Sequence, residues 1–404
     1  MFEFPKKVKD FCSFFKKNNY EIYAVGGCVR DAILNKSSDD IDFCTNATPK
    51  EMLSIFPHAI KTGIKHGTLT IPFKGEYYEV TTYRIDGEYH DGRHPDSVSY
   101  SRSLKEDLSR RDFTINAMAY DVDNDELVDI FGGAHDLDNG IIRTVGDPLE
   151  RFSEDALRML RAIRFESKLG FKIDEKTFDA IMTLKDNIKN VSSERIRTEF
   201  LKTIASDHAT KGLSDLSKTG LLSYILPYLN TNNLKPSSGL FDLNLNAKTD
   251  PITGLTAILI RTTDDIKNAS LTASHLRLSN TEAFRVTHLF DAWKRHPENI
   301  KMPYGKRVFL SILKRKYFDE YFTLLEALNV RFDTVSLKRD FESYLSSPFS
   351  ISELDISGND LIGFGLSGKE VGVALKLCLD EILNNPYNNH KIALLNYVKK
   401  EYNI

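Results

Sequence analysis

The sequence predicts a multidomain α+β protein, with a mixed-sheet head followed by helices to the end of the chain. Three observations carry this. Residues 20–145 interleave short alternating apolar runs with short helical ones, whereas strand patterning fades after Pro148. A chain of 404 residues is long enough for two to four domains, each with its own core. Thr231 to Asp250 is rich in Asn, Ser, Pro and Gly and reads as a long connection. The expected divisions are 1–147, 148–230, 231–300 and 301–404.

The first 20 residues set five lysines among Phe and Val. They lack the apolar core and small-residue cleavage site of a signal peptide, so an amphipathic helix is expected. Tyr23-Ala24-Val25 reads as a strand running into Gly26-Gly27, and Arg30 to Leu34 as a short helix. Asp40 to Phe43 is a predicted strand. Pro49 to Phe56 is a predicted helix, with Thr48 as N-cap and Pro49 in the first turn. Thr68 to Ile71 and Tyr77 to Tyr83 alternate as strands and are expected to pair across Lys74-Gly75. Beyond Pro148, helical spacing marks Glu154 to Leu169, Glu175 to Ile188, Ser193 to Ile204 and Leu375 to Leu383, and the remainder is expected to be all helical.

Composition excludes some classes. No run of about 18 apolar residues appears, so no membrane-spanning helix or membrane partner is expected. Cys12, Cys28, Cys44 and Cys378 form neither a CxxC pair nor a zinc pattern, and isolated thiols suit a reducing cytoplasm. A net charge of −3 does not announce a nucleic-acid partner, which needs a local basic surface. The best candidate is the cluster Lys294, Arg295, Lys301, Lys306, Arg307, Lys314, Arg315 and Lys316, interleaved with Trp293 and Tyr304. A solvated helix face is the competing reading.

The chemistry concentrates in Gly26-Gly27-Cys28-Val29-Arg30-Asp31 and Asp40-Ile41-Asp42. Alternate residues of a strand share a face, so Asp40 and Asp42 project side by side. Carboxylates held that close repel unless a cation sits between them. Mg²⁺ typically takes one or two carboxylates plus substrate phosphates, and glycines let the backbone approach an anion. Together these suggest a metal-dependent site for a nucleoside triphosphate. The alternative is a solvated Asp-rich turn, since Asp39 also precedes the pair.

The chain from Val25 to Phe165 resembles the class II tRNA nucleotidyltransferases, the CCA-adding enzymes and their poly(A) polymerase relatives. The motifs that carry the resemblance occur in order. They are Val25 to Asp31 with Asp40-Ile41-Asp42, Glu79-Val80-Thr81-Thr82-Tyr83-Arg84, Asp91-Gly92-Arg93-His94-Pro95, Arg110-Arg111-Asp112-Phe113-Thr114-Ile115-Asn116-Ala117, Gly146-Asp147-Pro148 and Glu154-Asp155-Ala156-Leu157-Arg158. The resemblance implies a polymerase-beta-like nucleotidyltransferase head, a nucleotide-selecting neck, and a body and tail that bind tRNA. It implies Mg²⁺ at Asp40 and Asp42, with Glu79 as a third carboxylate or, equally, a plain strand glutamate. It places Gly27, Arg30, Arg111, Asp112, Arg161 and Arg164 around the nucleotide. An ion pair of Arg30 with Asp31 or Glu21 is the alternative for Arg30. For Asp112 the alternative is capping of a helix from Phe113 to Met118. Arg164 falls off the face of Asp155 on a helical wheel and could pair with Glu166.

Asp155 and Arg158 lie at i and i+3 of an apparent helix and so share a face, opposite Leu157, Leu160 and Ile163. A carboxylate accepts and a guanidinium donates. Cytosine and adenine each offer an amine donor beside a ring-nitrogen acceptor, so one pair satisfies both. Guanine and uracil reverse the order and leave groups unsatisfied, at about 1–3 kcal/mol each. The competing reading is a surface salt bridge.

The reaction implied is stepwise addition of C, C and A to a tRNA 3′ end from CTP and ATP, without a nucleic-acid template. A poly(A) polymerase, a partial CC- or A-adding enzyme, and a catalytically silent tRNA-binding protein are the alternatives. Ile85 to Pro95 matches a family loop on which A-addition depends and is not shortened. The choice between monomer and homodimer stays open. Gly363 to Gly368 fits GxGxxG but is expected to be a turn between helices, and His135-Asp136 is an isolated dipeptide.

Overall fold

A computed structural model describes residues 4–37, 40–86, 98–229, 240, 242–295 and 302–403. The chain divides into two compact units, Met1–Pro227 and Tyr228–Ile404.

The first unit opens with α1 (Lys6–Lys17), which buries Val8, Phe11, Cys12 and Phe15. That i, i+3, i+4, i+7 spacing is the apolar stripe of an amphipathic helix. β1 (Ile22–Val25), α2 (Gly27–Ile33), β2 (Asp42–Thr45) and α3 (Pro49–Ile55) follow. Thr48 closes a capping box with Glu51 at the start of α3. β3 (Ile60–Gly63) leads to the hairpin of β4 (Thr68–Phe73) and β5 (Glu76–Thr82). Its turn residues Lys74 and Gly75 both have positive φ, 48° and 84°, so the predicted pairing holds with the turn hand that suits twisted strands. β6 (Arg84–Asp86) pairs with β7 (Val98–Tyr100), and α4 (Leu104–Ser109) follows. The loop of the Ile85–Pro95 expectation lies almost wholly outside the described residues.

β8 (Ala119–Asp121) and β9 (Glu126–Val128) complete a seven-stranded sheet of order β3-β4-β5-β2-β1-β8-β9. β2 and β5 run parallel and their other neighbours antiparallel, so the sheet is mixed. One face packs on α1: the Phe11 ring lies 4.5 Å from Tyr78 and 5.4 Å from Phe43. On the other face Val25, Cys44, Tyr83, Leu108 and Ala119 form a second core.

α5 (Gly133–Asp138), β10 (Ile141–Ile142), α6 (Pro148–Glu154), α7 (Leu157–Leu169), β11 (Lys172–Ile173), α8 (Glu175–Leu184), α9 (Ser193–Ile204), α10 (Ala209–Thr219) and α11 (Leu222–Ile225) complete this unit. Three expectations need correction. The segment after Pro148 is not wholly helical, because Gly170 (φ +76°) turns the chain back and β11 pairs with β10. Two residues leave no periodicity to read. The helix expected over Glu154–Leu169 breaks at Asp155, which ends α6 in an extended conformation. Its Oδ1 accepts from the Leu157 N–H at 3.0 Å, the local competition by which Asp prefers helix ends to interiors. The segment Phe113–Met118 forms only a 3₁₀ turn, Thr114–Asn116, before β8.

The second unit is helical among its described residues: α12 (Pro251–Thr262), α13 (Ile266–His275), α14 (Asn280–Lys294), α15 (Pro303–Leu313), α16 (Phe318–Ala327), α17 (Thr334–Glu342), α18 (Gly358–Gly363), α19 (Lys369–Asn384) and α20 (Lys391–Tyr402). Asp250 caps α12 through the N–H groups of Ile252 and Thr253, with Pro251 in the first turn. Gly363 to Gly368 joins α18 to α19, where no strand precedes it among the described residues. The basic cluster is largely engaged. Lys306 and Arg307 are buried; Lys306 meets Asp340 at 2.6 Å, and Arg307 donates to the Leu383 and Asn384 carbonyls. Lys294, Arg295 and Arg315 pair with Asp264, Asp291 and Glu353. Lys301 lies outside the described residues. No described helix is long and apolar enough to cross a membrane.

Candidate active site

Asp42 opens β2, and its register partner on parallel β5 is Glu79. Phe43, Tyr78 and Val80 turn inward, so Asp42 and Glu79 emerge together on the opposite, open face. Asp40 lies two residues ahead, just before the strand rather than within it. All three line one cleft. Asp42 is exposed at this cleft, and its carboxyl has lost part of its solvent to the walls. That loss of solvent pushes its pKa up, Glu79 and Asp40 push the same way, and Arg111 opposes them. A cation relieves all three upward pressures at once. The described residues preform no cage of three or more ligating side chains. A divalent ion completed by substrate phosphates needs none, so the donor set fits Mg²⁺ chemistry.

β1 ends at Val25 beside Asp42, and the chain then turns through Gly26 at φ +76° into α2. A β-carbon on Gly26 would lie 3.3 Å from Nη1 of Arg111. Gly26→Ala is therefore strained by about 1 kcal/mol or more and also displaces Arg111. We expect it to raise the KM for nucleotide severalfold while lowering the thermal midpoint, as read by steady-state incorporation and calorimetry.

Arg111 is held by Asp107 at 3.3 Å and by the Asn116 carbonyl at 3.5 Å. Its buried Nε finds no hydrogen-bond partner among the described residues. This cation, beside the glycine turn and Asp42, is suited to a phosphate. Asp107 is fully buried, which pushes its carboxyl up, but Arg110 and Arg111 outweigh this and hold it below its ordinary value.

Arg30 is different. It is 4% exposed, pairs with Asp31 at 2.8 Å and donates to Asn116 Oδ1 at 2.6 Å. The alternative reading, an Asp31 ion pair, describes its place in this structure, and a phosphate contact requires rearrangement. Glu21 instead accepts from the Tyr83 hydroxyl.

Asp112 is buried and accepts from its neighbour Phe113 N–H, from Asn116 Nδ2 and from Arg161 at 2.6 Å. Burial pushes its carboxyl up, and Arg161 and Asn116 more than offset that, leaving it below its ordinary value. It therefore anchors the turn and Arg161 together. Arg164 meets Glu199 at 2.5 Å, not Glu166. Glu166 lies near Lys211 at 3.3 Å, and burial with Asp215 pushes its pKa up to about 8. The Phe165 ring carries three guanidiniums, Arg164 at 4.1 Å, Arg30 at 5.3 Å and Arg161 at 5.5 Å from its centroid.

The Asp155–Arg158 expectation needs the largest correction. The break between α6 and α7 removes the shared helical face, and Arg158 is buried. Arg158 meets Glu154 at 2.5 Å and donates to the Arg151 and Arg110 carbonyls. Asp155 pairs with Arg195 of α9 at 2.7 Å. Sequence reasoning missed both Arg195 and Glu199. Their i, i+4 spacing on the predicted helix Ser193–Ile204 put them on one face, which was the available signal.

Asp136 is buried between Arg143 and the Thr114 hydroxyl and is architectural, while the His135 side chain is exposed. Burial pushes the Cys28 thiol up to about 11 and Cys44 well above its ordinary value, which makes both packing residues.

A mixed sheet with acidic residues at the start of one strand, a glycine turn beside them and an arginine-lined helical flank fits a nucleotidyltransferase of the poly(A) polymerase class. Residues 22–143 match the family model described as the Poly A polymerase head domain, and residues 170–232 match "Probable RNA and SrmB- binding site of polymerase A". The chain belongs to the CCA-adding enzyme family. It is 36% identical over 400 residues to the CCA-adding enzyme of Bacillus licheniformis, covering 94% of each chain. It is 34% identical to that of Lactobacillus helveticus, covering 94% of this chain and 93% of the relative. The crystal structure of the Bacillus stearothermophilus CCA-adding enzyme in complex with CTP superposes with a TM-score of 0.81 at 28% identity, covering 98% of this chain and 97% of that one. The Thermotoga maritima CCA-adding enzyme complexed with tRNA shares the fold, with a TM-score of 0.67 at 23% identity, covering 99% and 96%.

Proposed function

We propose that this protein adds C, C and A stepwise to the 3′ end of tRNA, using CTP and ATP and releasing pyrophosphate, with no nucleic-acid template. The observation that carries this reading is near full-length membership of the CCA-adding family. The chain keeps carboxylates at Asp40, Asp42 and Glu79 in one cleft. Asp40 and Asp42 would hold the catalytic cations, which their oxygen-only donor set suits to Mg²⁺, with Glu79 beside them. When bound, such ions lower the pKa of the attacking hydroxyl and stabilise the leaving pyrophosphate. The backbone N–H groups after Gly26 and the Arg111 guanidinium orient the triphosphate. Asp112, Arg161 and Arg164 shape the nucleotide pocket, while Arg30 braces it. Asp155, held by Arg195, is the candidate acceptor for the base amine. Arg158, turned to Glu154 and to the Arg151 and Arg110 carbonyls, would reach the ring nitrogen only through its remaining N–H donors. The head and neck roles belong to 1–147 and 148–230, with tRNA also meeting the helical remainder, in the cytoplasm.

Incubation with tRNA lacking its CCA, Mg²⁺ and each nucleotide singly and together tests the reading. Two additions with CTP alone and three with CTP plus ATP are expected. Two additions under both conditions identify a CC-adding enzyme, a long A tract a poly(A) polymerase, and no extension a silent binding protein.

A further inference from the structure

Three arginines converge on one buried ring. The Phe165 centroid lies 4.1 Å from the Arg164 guanidinium, 5.3 Å from that of Arg30 and 5.5 Å from that of Arg161. Phe165 is only 5% exposed. Helical spacing does not account for the closest of these contacts. Adjacent residues of a helix point about 100° apart, so the Arg164 side chain curls back over its neighbour, and Glu199 of α9 holds its Nε there. Arg161, one turn back, reaches the ring along the face of α7, and Arg30 comes from α2.

Like charges gathered this closely repel. Carboxylates answer part of that, but from three separate places: Asp31 on α2, Asp112 ahead of the 3₁₀ turn and Glu199 on α9. Asp31 pairs with Arg30 and Asp112 with Arg161, while Glu199 reaches Arg164 at 2.5 Å and Arg161 at 3.8 Å. The Phe165 ring is the group that all three arginines meet. Burial, with Arg161 adding to it, leaves the Arg164 guanidinium below its ordinary pKa despite Glu199. The negative face of an aromatic ring eases such crowding, and more so where water is excluded. Phe113, next to Asp112, meets the Phe165 ring at 5.7 Å in a T-shaped contact, which fixes the plane of the platform.

Resting on the nucleotidyltransferase reading above, we propose that Phe165 is a positioning residue of the nucleotide pocket: its π face holds the Arg161 and Arg164 guanidiniums in register with Arg30, for the sugar and phosphate oxygens of the incoming nucleotide. Arg161 spends Nε and one Nη on Asp112, and Arg164 its Nε on Glu199, so both keep N–H donors for those oxygens. CTP and ATP share these oxygens. The ring therefore serves both nucleotides equally and takes no part in choosing the base.

Equilibrium binding of CTP and of ATP to the full chain in Mg²⁺, without tRNA, tests this. Phe165 is replaced by mono-, di- and trifluorinated phenylalanine, which weaken the negative face stepwise and leave the ring nearly the same size and just as apolar. Log Kd for both nucleotides is expected to rise with each fluorine, to about tenfold weaker binding in the trifluorinated chain, with the thermal midpoint unchanged. Phe165→Leu, apolar but without a π face, should weaken both nucleotides at least as much while the KM for tRNA stays as in wild type. It should also remove the ring-current displacement of the Arg164 Nε–H resonance. Affinity that is flat across the fluorinated series, or that falls for one nucleotide only, makes Phe165 a packing residue and overturns the proposal. A wild-type chain that binds neither nucleotide overturns the functional reading instead, and the Arg164 resonance then decides whether the ring holds the guanidinium.

Discussion

Replacing Asp42 with asparagine lowers CTP and ATP incorporation alike, on the order of a thousandfold, while tRNA binding stays within a few fold. The substitution keeps the shape of the side chain and removes one charge from the three carboxyl groups in the cleft. Both nucleotides suffer equally because the defect lies in the chemistry, not in base choice. Single-turnover incorporation with saturating tRNA measures the loss, and filter binding measures the retained affinity. Activity within tenfold of wild type would remove Asp42 from the metal site.

The same variant should be more stable than wild type. Burial, then Glu79 and Asp40, raise the Asp42 pKa in the folded chain above its unfolded value. A folded carboxyl that holds its proton more tightly stabilises the fold within the window between the two pKa values and below it. That stability is relinquished as pH rises through the raised folded value. At neutral pH the ionised group therefore works against the cation-free fold. Mg²⁺ should raise the thermal midpoint of the wild type. Asp42→Asn should raise it without Mg²⁺ and blunt the Mg²⁺ response, as scanning calorimetry would report.

The parts legible in the sequence were those with local causes. Thr48-Pro49 announced a capped helix, Lys74-Gly75 a tight hairpin, and the spacing of Val8, Phe11, Cys12 and Phe15 a one-sided helix. Pairing of Asp42 with Glu79 was harder, because a parallel register between residues 37 apart leaves no periodic trace and only the family resemblance suggested it. The break at Asp155 was illegible: no Gly or Pro marks it, and the apolar spacing of Leu157, Leu160 and Ile163 continues smoothly through the region. Charge partners were the least legible. Arg30, Arg158 and Arg164 each had a plausible neighbour in sequence. Arg30 took Asp31 and Arg158 took Glu154 four residues back in place of the expected Asp155, while Arg164 took Glu199, which only packing supplies.

Removing Arg195 is expected to cost about ten- to a hundredfold in kcat/KM for CTP and to narrow discrimination against UTP, because it releases Asp155, the carboxylate proposed above to read the base. The argument rests on counting donors and acceptors. Asp155 spends one oxygen on the Leu157 N–H and the other on Arg195. A carboxylate has about four acceptor sites, so each oxygen can still take a base amine. Arg158 has five N–H donors and uses three, on Glu154 and on the carbonyls of Arg151 and Arg110. The two side chains can thus read one base together only if each is held by its other partner, and for Asp155 that partner is Arg195. A charged hydrogen bond of this kind is worth about 1.5–3 kcal/mol, which sets the expected loss. Because Arg195 acts through Asp155, Arg195→Ala combined with Asp155→Ala should be no worse than Asp155→Ala alone, and Arg195→Lys should recover part of the selectivity. Additive losses in that double-mutant cycle, or unchanged discrimination in Arg195→Ala, would separate Arg195 from base selection and leave it a brace between α9 and the start of α7.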